Sequence, residues 1–330
     1  MISVEHLTKC YGDVIAVNDL TFEIDEGHVY GFLGPNGAGK STTMNIMTGC
    51  LSATEGSVKI DGHDIFEEPD KAKKLIGYLP EQPPLYMTET PKEYLRFVGE
   101  AKGLRGKELE QQIADVLEQT KITEMKNRRI SALSKGYKQR VGIAQALLGN
   151  PKVIILDEPT VGLDPIQIIE IRALIRELGK THTVIFSSHI LSEVQAICDQ
   201  ILIIARGKLI ALDGPEQLEK RLLSPNEILI TVDESSEEIR KILAGIDHIT
   251  GIDVEEKENG FHAAHLRTDH DNIYEVSGAV FSAFAAKKKV LLEMTLKKAN
   301  LEDVFIELTE SGTGQEEEEQ MTGEEEVDDQ

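Results

Sequence analysis

The segment Gly34-Pro35-Asn36-Gly37-Ala38-Gly39-Lys40-Ser41 fits the phosphate-binding pattern G-x-x-x-x-G-K-[ST]. The apolar run 29–33 before it predicts a buried strand, and residues 42–48 after it predict a helix. A glycine-rich turn between a strand and a helix lets backbone N–H groups surround phosphate oxygens at the positive end of the helix dipole. The pattern predicts a nucleoside triphosphate site, with Lys40 on the β- and γ-phosphates and the Ser41 hydroxyl on Mg²⁺. The residues expected to contact the phosphates are Gly34, Pro35, Asn36, Gly37, Ala38, Gly39, Lys40, Ser41 and Thr42.

The composition predicts a folded chain with a strong acidic surplus. Of 330 residues, 40% are hydrophobic, which is enough for the core of one large domain or two ordinary ones. Because the net charge is −23, we expect no nucleic-acid partner: binding a phosphate backbone requires clustered Lys and Arg. The three cysteines are widely spaced and indicate a reducing cytosol, with neither a disulfide framework nor a metal cluster. We find no secretory leader and no run of about 20 apolar residues, so we expect a soluble chain that reaches a membrane only through a partner.

Much of the acidic surplus lies in the last stretch, residues 311–330. A run of like charge with few apolar residues cannot collapse, so this stretch predicts a disordered, solvated tail. A tail that only aids solubility is favoured over a dedicated docking segment.

Short apolar runs alternate with helical patterns through the first two thirds of the chain. The predicted buried strands are 29–33, 76–80, 153–156, 183–187 and 201–205, and helices are predicted at 165–178 and 190–197. This alternation is typical of an α/β fold with a mainly parallel, buried sheet. Residues 2–7 and 20–24 predict instead an antiparallel β portion, and residues 91–150 predict a helical subdomain with amphipathic repeats at 107–119 and 137–148.

The strand–helix order breaks at Ser224-Pro225-Asn226. Beyond it, the pattern predicts strand 227–232, helix 235–245, strands 249–256 and 261–267, helix 270–287, strand 290–295 and helix 300–309. The βαββαβ order is that of a ferredoxin-like α+β domain. We therefore predict a nucleotide-binding domain at 1–222, a small α+β domain at 223–310 and the acidic tail at 311–330.

The predicted strand 153–156 ends in two adjacent carboxylates, Asp157 and Glu158. An aspartate at the carboxyl end of a parallel strand lies beside a phosphate loop and can hold Mg²⁺. Glu158 points differently and could deprotonate the attacking water. An ordinary strand end before Pro159 is the alternative, and the nearby phosphate loop makes it the weaker one.

Residues 133–140 begin a predicted helix, and Ser134 is a plausible N-cap. Free N–H groups with a hydroxyl make an anion site, although in isolation a plain capped helix start is the favoured interpretation.

Taken together, these motifs resemble the ATPase subunit of ATP-binding-cassette (ABC) transporters, over roughly residues 1–222. In that resemblance, Asp157 is the metal aspartate and Glu158 the catalytic glutamate. Gln82 matches the glutamine that senses Mg²⁺ and contacts the membrane partner, His189 matches the switch histidine, and Asp164 lies in the loop that links two active sites. Alone, Gln82 would only begin a proline-rich loop and His189 would only cap a helix.

The stretch 133–140 matches the family signature, which contacts ATP across the dimer, but with two departures. Ser134 and Gly136 are retained, whereas Lys135 and Tyr137 replace the usual Gly and Gln. Tyr137 cannot reproduce the hydrogen bonds of a glutamine, so the contacts to the γ-phosphate are expected to differ. Tyr11 lies at the usual distance before the phosphate loop for an aromatic that stacks on adenine; by itself it would only be a turn residue.

The resemblance implies a P-loop ATPase that binds and hydrolyses Mg-ATP in a head-to-tail cassette dimer, homo- or heteromeric. It would drive export through a separate integral membrane permease, from the cytoplasmic side of the cell membrane. The exporter class follows from residues 299–309, which resemble the closing helix of multidrug, antibiotic-resistance and gliding-motility ATPases. A soluble ABC ATPase without a membrane partner is the alternative, and intact Glu158 and His189 disfavour a purely regulatory cassette.

Overall fold

The computed structural model describes residues 1–221, 226–257, 260–270 and 272–297. The chain divides into two compact units, and the boundary in the sequence lies between Pro215 and Glu216. The domain limits inferred from the sequence, 1–222, 223–310 and 311–330, remain a prediction. No helix in the described ranges is long and apolar enough to cross a membrane.

Strands and helices alternate along most of the described chain. The strands are β1 (Ile2–Tyr11), β2 (Val14–Ile24), β3 (Val29–Leu33), β4 (Glu55–Ile60), β5 (His63–Asp64), β6 (Ile76–Leu79), β7 (Val153–Leu156), β8 (Thr183–Ser188), β9 (Gln200–Ala205), β10 (Lys208–Asp213), β11 (Asn226–Val232), β12 (Ile249–Glu256), β13 (His262–Thr268) and β14 (Leu291–Lys297). The α-helices are α1 (Lys40–Met47), α2 (Pro69–Ala72), α3 (Pro91–Ala101), α4 (Gly106–Gln119), α5 (Lys135–Leu147), α6 (Pro165–Leu178), α7 (Leu191–Ile197), α8 (Pro215–Arg221), α9 (Ser236–Leu243) and α10 (Ile273–Ala286).

A six-stranded sheet in the order β10-β9-β3-β8-β7-β6 forms the centre of the first unit. Its strands β9, β3, β8, β7 and β6 run parallel, and only the edge strand β10 is antiparallel. Every residue of β3, β7 and β8 is buried, as expected for strands covered on both faces. The five predicted buried strands are confirmed. Because parallel strands present their carboxyl ends at one edge, the loops after β3, β7 and β8 lie side by side.

A second sheet, in the order β2-β1-β4-β5, is the predicted antiparallel β portion. Its apolar side chains share one core with β3 and α1, including Ile2, Phe22, Phe32 and Met44. This core holds the helix that follows the phosphate loop between the two sheets. The pairing of β4 and β5 with β1 was not predicted from the sequence.

The region 91–150 is helical, as predicted, and consists of α3, α4 and α5 before β7. Thr90 and Glu93 form a capping box that starts α3. Helix α5 begins at Lys135, and the predicted N-cap is confirmed, because the Ser134 hydroxyl accepts the N–H of Tyr137.

The second unit contains an antiparallel sheet in the order β12-β13-β11-β14. Helices α9 and α10 contribute Ile239, Leu243, Val280 and Phe284 to its core. This order, with the first and third strands of the unit in the centre, is the one expected for βαββαβ, so the ferredoxin-like prediction is confirmed. The predicted helix 300–309 and the tail 311–330 lie outside the described residues.

Strand β10 and its hairpin with β9 were missed by the sequence analysis. The turn consists of Arg206 and Gly207, both at positive φ (51° and 75°), which is the geometry of a two-residue hairpin turn. Arg-Gly is a weak turn signal compared with Asn-Gly, so the pattern alone did not indicate it.

Candidate functional site

The phosphate loop connects the end of β3 at Leu33 to the start of α1 at Lys40. Two positions of the loop require glycine, because a neighbouring backbone carbonyl lies too close to where a Cβ would be. A Cβ on Gly34 would lie 2.3 Å from the carbonyl oxygen of Ile204, and one on Gly39, at φ 100°, would lie 2.5 Å from that of Ala16. Thr43 N–H donates to the carbonyl of Gly39 at 2.9 Å and starts the helical hydrogen bonds. The motif therefore folds into the strand–turn–helix that the sequence predicts.

The ammonium of Lys40 lies inside the loop. Its Nζ donates to the carbonyl oxygens of Gly34 (2.7 Å) and Pro35 (3.1 Å), and it lies 4.0 Å from Glu158 Oε1. Only 6% of the residue is exposed. Burial lowers the pKa of Lys40, and the carboxylates of Glu158 and Asp157 oppose that shift. A buried cation beside a helix N-terminus makes this loop a site for an anion.

Asp157 follows β7 and lies next to the phosphate loop. Its Oδ1 accepts from Ser41 Oγ at 3.2 Å and from Ser187 Oγ at 2.7 Å. Hydroxyl and carboxylate oxygens are the ligands that Mg²⁺ prefers, and this ion is usually held by one or two protein oxygens plus substrate phosphates. The described residues contain no cluster of three or more His, Cys, Asp or Glu that could hold a metal by itself. The Ser41–Asp157 pair therefore fits Mg²⁺ that arrives with a nucleotide.

Glu158 is buried, and its carboxylate lies against His189. Nδ1 of His189 is 3.2 Å and 3.1 Å from the two carboxylate oxygens. The backbone of Glu158 has φ 45°, and its N–H donates to Ser187 Oγ at 2.7 Å. A positive φ at a residue other than glycine is strained, and such strain clusters at functional sites. His189 does not cap α7, since the N-cap position, Ile190, makes no side-chain cap hydrogen bond.

The signature residues line a different place. A cavity of about 400 Å³ is bordered by Ser134, Gly136, Tyr137, Asp164 and the Arg140–Glu170 ion pair, among others. In the described part of the chain, none of Ser134, Lys135, Gly136 and Tyr137 makes a hydrogen bond or ion pair with the cluster around Lys40. Asp164 caps α6 by accepting the N–H of Gln167 at 3.0 Å.

Two further predicted residues lie on the surface. Tyr11 ends β1 with 51% of the residue exposed, and Lys9 Nζ lies 5.3 Å from the centre of its ring. Gln82 is exposed in the bend after β6. Because Leu79 of β6 pairs with Leu156 of β7, Gln82 follows the strand next to the one that carries Asp157. Gln82 has no hydrogen-bond partner among the described residues.

Ser187 was not predicted from the sequence as a site residue, yet its hydroxyl joins Asp157 and Glu158. Its hydroxyl donates to Asp157 and accepts from the N–H of Glu158. The signal that could have found it is register. Leu156 pairs with Phe186 in parallel, so the next residues, Asp157 and Ser187, are neighbours across the strand ends.

The comparisons with known proteins agree with this fold. The model of the family "ABC transporter" matches residues 17–161. Linearmycin resistance ATP-binding protein LnrL of Bacillus subtilis is 35% identical over 312 residues, which cover 94% of this chain and 98% of that protein. The chain therefore belongs to the ABC transporter family.

Other relatives place it within that family. Bacitracin transport ATP-binding protein BcrA of Bacillus licheniformis is 33% identical over 95% of this chain and 98% of its own length. A solved ATP-binding subunit of an ABC transporter has a TM-score of 0.61 at 31% identity, covering 67% of this chain and 92% of that one. A dimeric ATP-binding cassette in a post-hydrolysis state, bound to ADP and Pi, has a TM-score of 0.59 at 28% identity, covering 65% and 98%. The chain is an ATP-binding protein of the transporter type and an ATPase.

Proposed function

We propose that this ATPase powers export through a separate integral membrane permease, at the cytoplasmic side of the cell membrane. Two of the relatives that it matches over nearly their whole length are named for linearmycin resistance and bacitracin transport, which supports an exporter. The observation that carries the hydrolytic part of the proposal is the contact of Glu158 with both His189 and Lys40, at 3.1 Å and 4.0 Å. It joins a phosphate-binding cation to a base and its orienting partner.

Each residue of this cluster has a role that its geometry supports. Lys40 and the loop 34–42 bind the β- and γ-phosphates through the ammonium and the backbone N–H groups. Glu158 accepts a proton from the attacking water, and His189 orients the carboxylate through its ring nitrogen. Burial of Glu158 excludes bulk water and strengthens these electrostatic contacts.

Mg²⁺ would be held by Ser41 and Asp157, with Gln82 near it from the end of the neighbouring strand. When bound, the ion neutralises charge on the phosphate oxygens. Ser187 keeps the Asp157 carboxylate in place with its 2.7 Å hydrogen bond. Tyr11 would stack on adenine through its exposed ring.

A second cassette completes the site. Ser134, Lys135, Gly136 and Tyr137 make no hydrogen bond or ion pair with the phosphate-binding cluster of their own chain within the described residues, so they are available to a partner's ATP. We propose a head-to-tail pair in which Ser134 and Gly136 close over the partner's nucleotide, with Asp164 at the link between the two sites. Closure by ATP and release after hydrolysis would move the permease between its two states.

The test of the hydrolytic site is Glu158→Gln, which keeps the shape but removes the base. We expect turnover to fall about 10²–10⁴-fold, the usual contribution of a general base, while ATP still binds. Steady-state ATPase and nucleotide-binding assays measure both. The matched control is Glu177→Gln, which makes the same change in an exposed pair with Lys180. Near-normal turnover of Glu158→Gln would remove Glu158 from this role.

The transporter assignment is tested on the same variant. Saturated with ATP and Mg²⁺, Glu158→Gln should sediment as a dimer and co-purify from membranes with an integral subunit. A variant that stays monomeric and joins no membrane subunit would favour the alternative, a soluble ABC ATPase.

A further inference from the structure

Among the residues that the structure describes, Glu193 on α7 is the most completely buried carboxylate that the proposed chemistry does not use. It is 1% exposed. Its Oε2 accepts from Thr160 Oγ1 at 2.7 Å and from Ser188 Oγ at 3.1 Å, and its Oε1 lies 3.3 Å from a terminal nitrogen of Arg172. A charge held out of water needs such partners, because an unpaired buried carboxylate is very costly. The arrangement fixes Glu193 firmly in place.

The positions of the three donors in the chain make this cluster relevant to the site. Thr160 is two residues after Glu158, and Ser188 directly precedes His189. Glu158 and His189 contact each other. Each of them therefore lies within one or two residues of a side chain that donates to the Glu193 carboxylate. With Glu193, these four residues form a closed ring of five, in which the Glu158–His189 contact lies opposite Glu193.

The third donor extends the ring to α6. Arg172 lies two turns into this helix, which begins at the capping residue Asp164. The Nε of Arg172 is buried and has no hydrogen-bond partner within the described ranges, whereas a terminal nitrogen of the same guanidinium forms the 3.3 Å ion pair with Glu193. The loop after β7, the end of β8 and the middle of α6 thus share one anchor.

We propose that Glu193 is a positioning residue that sets the distance and orientation between Glu158 and His189. It acts through Thr160 and Ser188 and touches neither substrate nor metal. Through Arg172 it is also held against α6, the helix that Asp164 caps. The inference rests on the proposed roles of Glu158 and His189 and adds a residue to that site.

The first test is Glu193→Gln, which preserves size and one acceptor but removes the charge that pairs with Arg172. We expect kcat to fall about tenfold to a hundredfold, since small displacements of catalytic groups cost that much, while KM and the Kd for ATP change less than about twofold. Glu177→Gln on α6 is the matched control and should leave kcat unchanged. Thr160→Val removes one donor without touching Glu193, and we expect a smaller fall in kcat in the same direction.

A double-mutant cycle with His189→Ala distinguishes a positioning role of Glu193 from a merely structural one. If Glu193 acts by setting the Glu158–His189 contact, Glu193→Gln should change single-turnover rates less than about twofold once His189 is absent. An equal fold-change in both backgrounds, or a loss of kcat that only follows the folded fraction measured by circular dichroism, would overturn the proposal.

The cycle also distinguishes this inference from the proposed function beneath it. Glu158→Gln and His189→Ala are measured alone in the same assay. If both keep normal turnover, the assignment of the site fails and the inference falls with it. If both are slow but Glu193→Gln is additive with His189→Ala, only the inference fails.

Discussion

Ser187 offers a sharp test of how the two carboxylates are held. Its fully buried hydroxyl donates to Asp157 Oδ1 and accepts from the N–H of Glu158, both at 2.7 Å. Ser187→Ala removes a hydrogen bond to a charged acceptor, worth about 1.5–3 kcal/mol, and leaves a buried N–H unpaired, at a cost of about 1–3 kcal/mol. These two losses share one hydroxyl and its desolvation. We therefore expect the free energy of unfolding of the first unit to fall by about 2–4 kcal/mol.

The assay is urea unfolding followed by circular dichroism, with separate transitions fitted for the two units of the chain. Ser57→Ala is the control, because its hydroxyl makes only a 3.4 Å bond to an exposed carboxylate of Glu5, and we expect a change within about 0.5 kcal/mol. Turnover of Ser187→Ala should also fall, since both Asp157 and the backbone of Glu158 lose a fixed partner. A loss of stability below about 0.5 kcal/mol would refute the idea that this hydroxyl ties the strand ends together.

Three further outcomes follow from the site. Burial lowers the pKa of Lys40, so the unfolded chain binds this proton more tightly than the native chain does. The free energy of unfolding should therefore rise as the pH increases from the native pKa of Lys40 towards 10.5. Urea unfolding at a series of pH values measures this rise, and Lys40→Met should flatten it. The same slope in both proteins would contradict it. Gly39→Ala should abolish ATP binding in a fluorescent-nucleotide titration, because the methyl group would meet the carbonyl of Ala16 at 2.5 Å and φ is 100°; unchanged affinity would show that the loop can rearrange. Asp164→Ala removes the cap on the N–H of Gln167 and should cost about 1 kcal/mol by thermal unfolding, whereas Asp164→Asn should restore most of it; equal losses in both would count against capping.

The parts of the site that the sequence predicted are those encoded by short stretches of chain. The phosphate loop is one continuous segment whose glycines have a local reason, and the structure places Lys40 and Ser41 as the motif requires. Asp157 and Glu158 were predicted from an apolar strand that ends in carboxylates. A strand end and a phosphate loop meet because the strands are parallel, and parallel order follows from the alternation of strands and helices.

The parts that the sequence did not predict depend on contacts between distant segments. Ser187 acquires its two partners from the register of β7 against β8, which pairs Leu156 with Phe186. Glu193 lies on a short amphipathic pattern, where a glutamate is ordinarily a solvent-facing residue. Its burial requires donors from positions 160, 172 and 188, which no local pattern brings together.

The left-handed backbone at Glu158 has a consequence for the mutational tolerance of this position. At φ 45°, glycine, asparagine and aspartate are the residues that the main chain accommodates with least strain, whereas valine and isoleucine are penalised by their branched Cβ. The chemistry asks for a different residue, a carboxylate on a two-carbon arm long enough to meet the His189 ring. A saturation library at 158 would therefore rank its members in two unlike orders, one for thermal resistance and one for turnover. If Glu158 has the proposed role of general base, we expect the native glutamate at the top of the order for turnover and below the top of the order for thermal resistance.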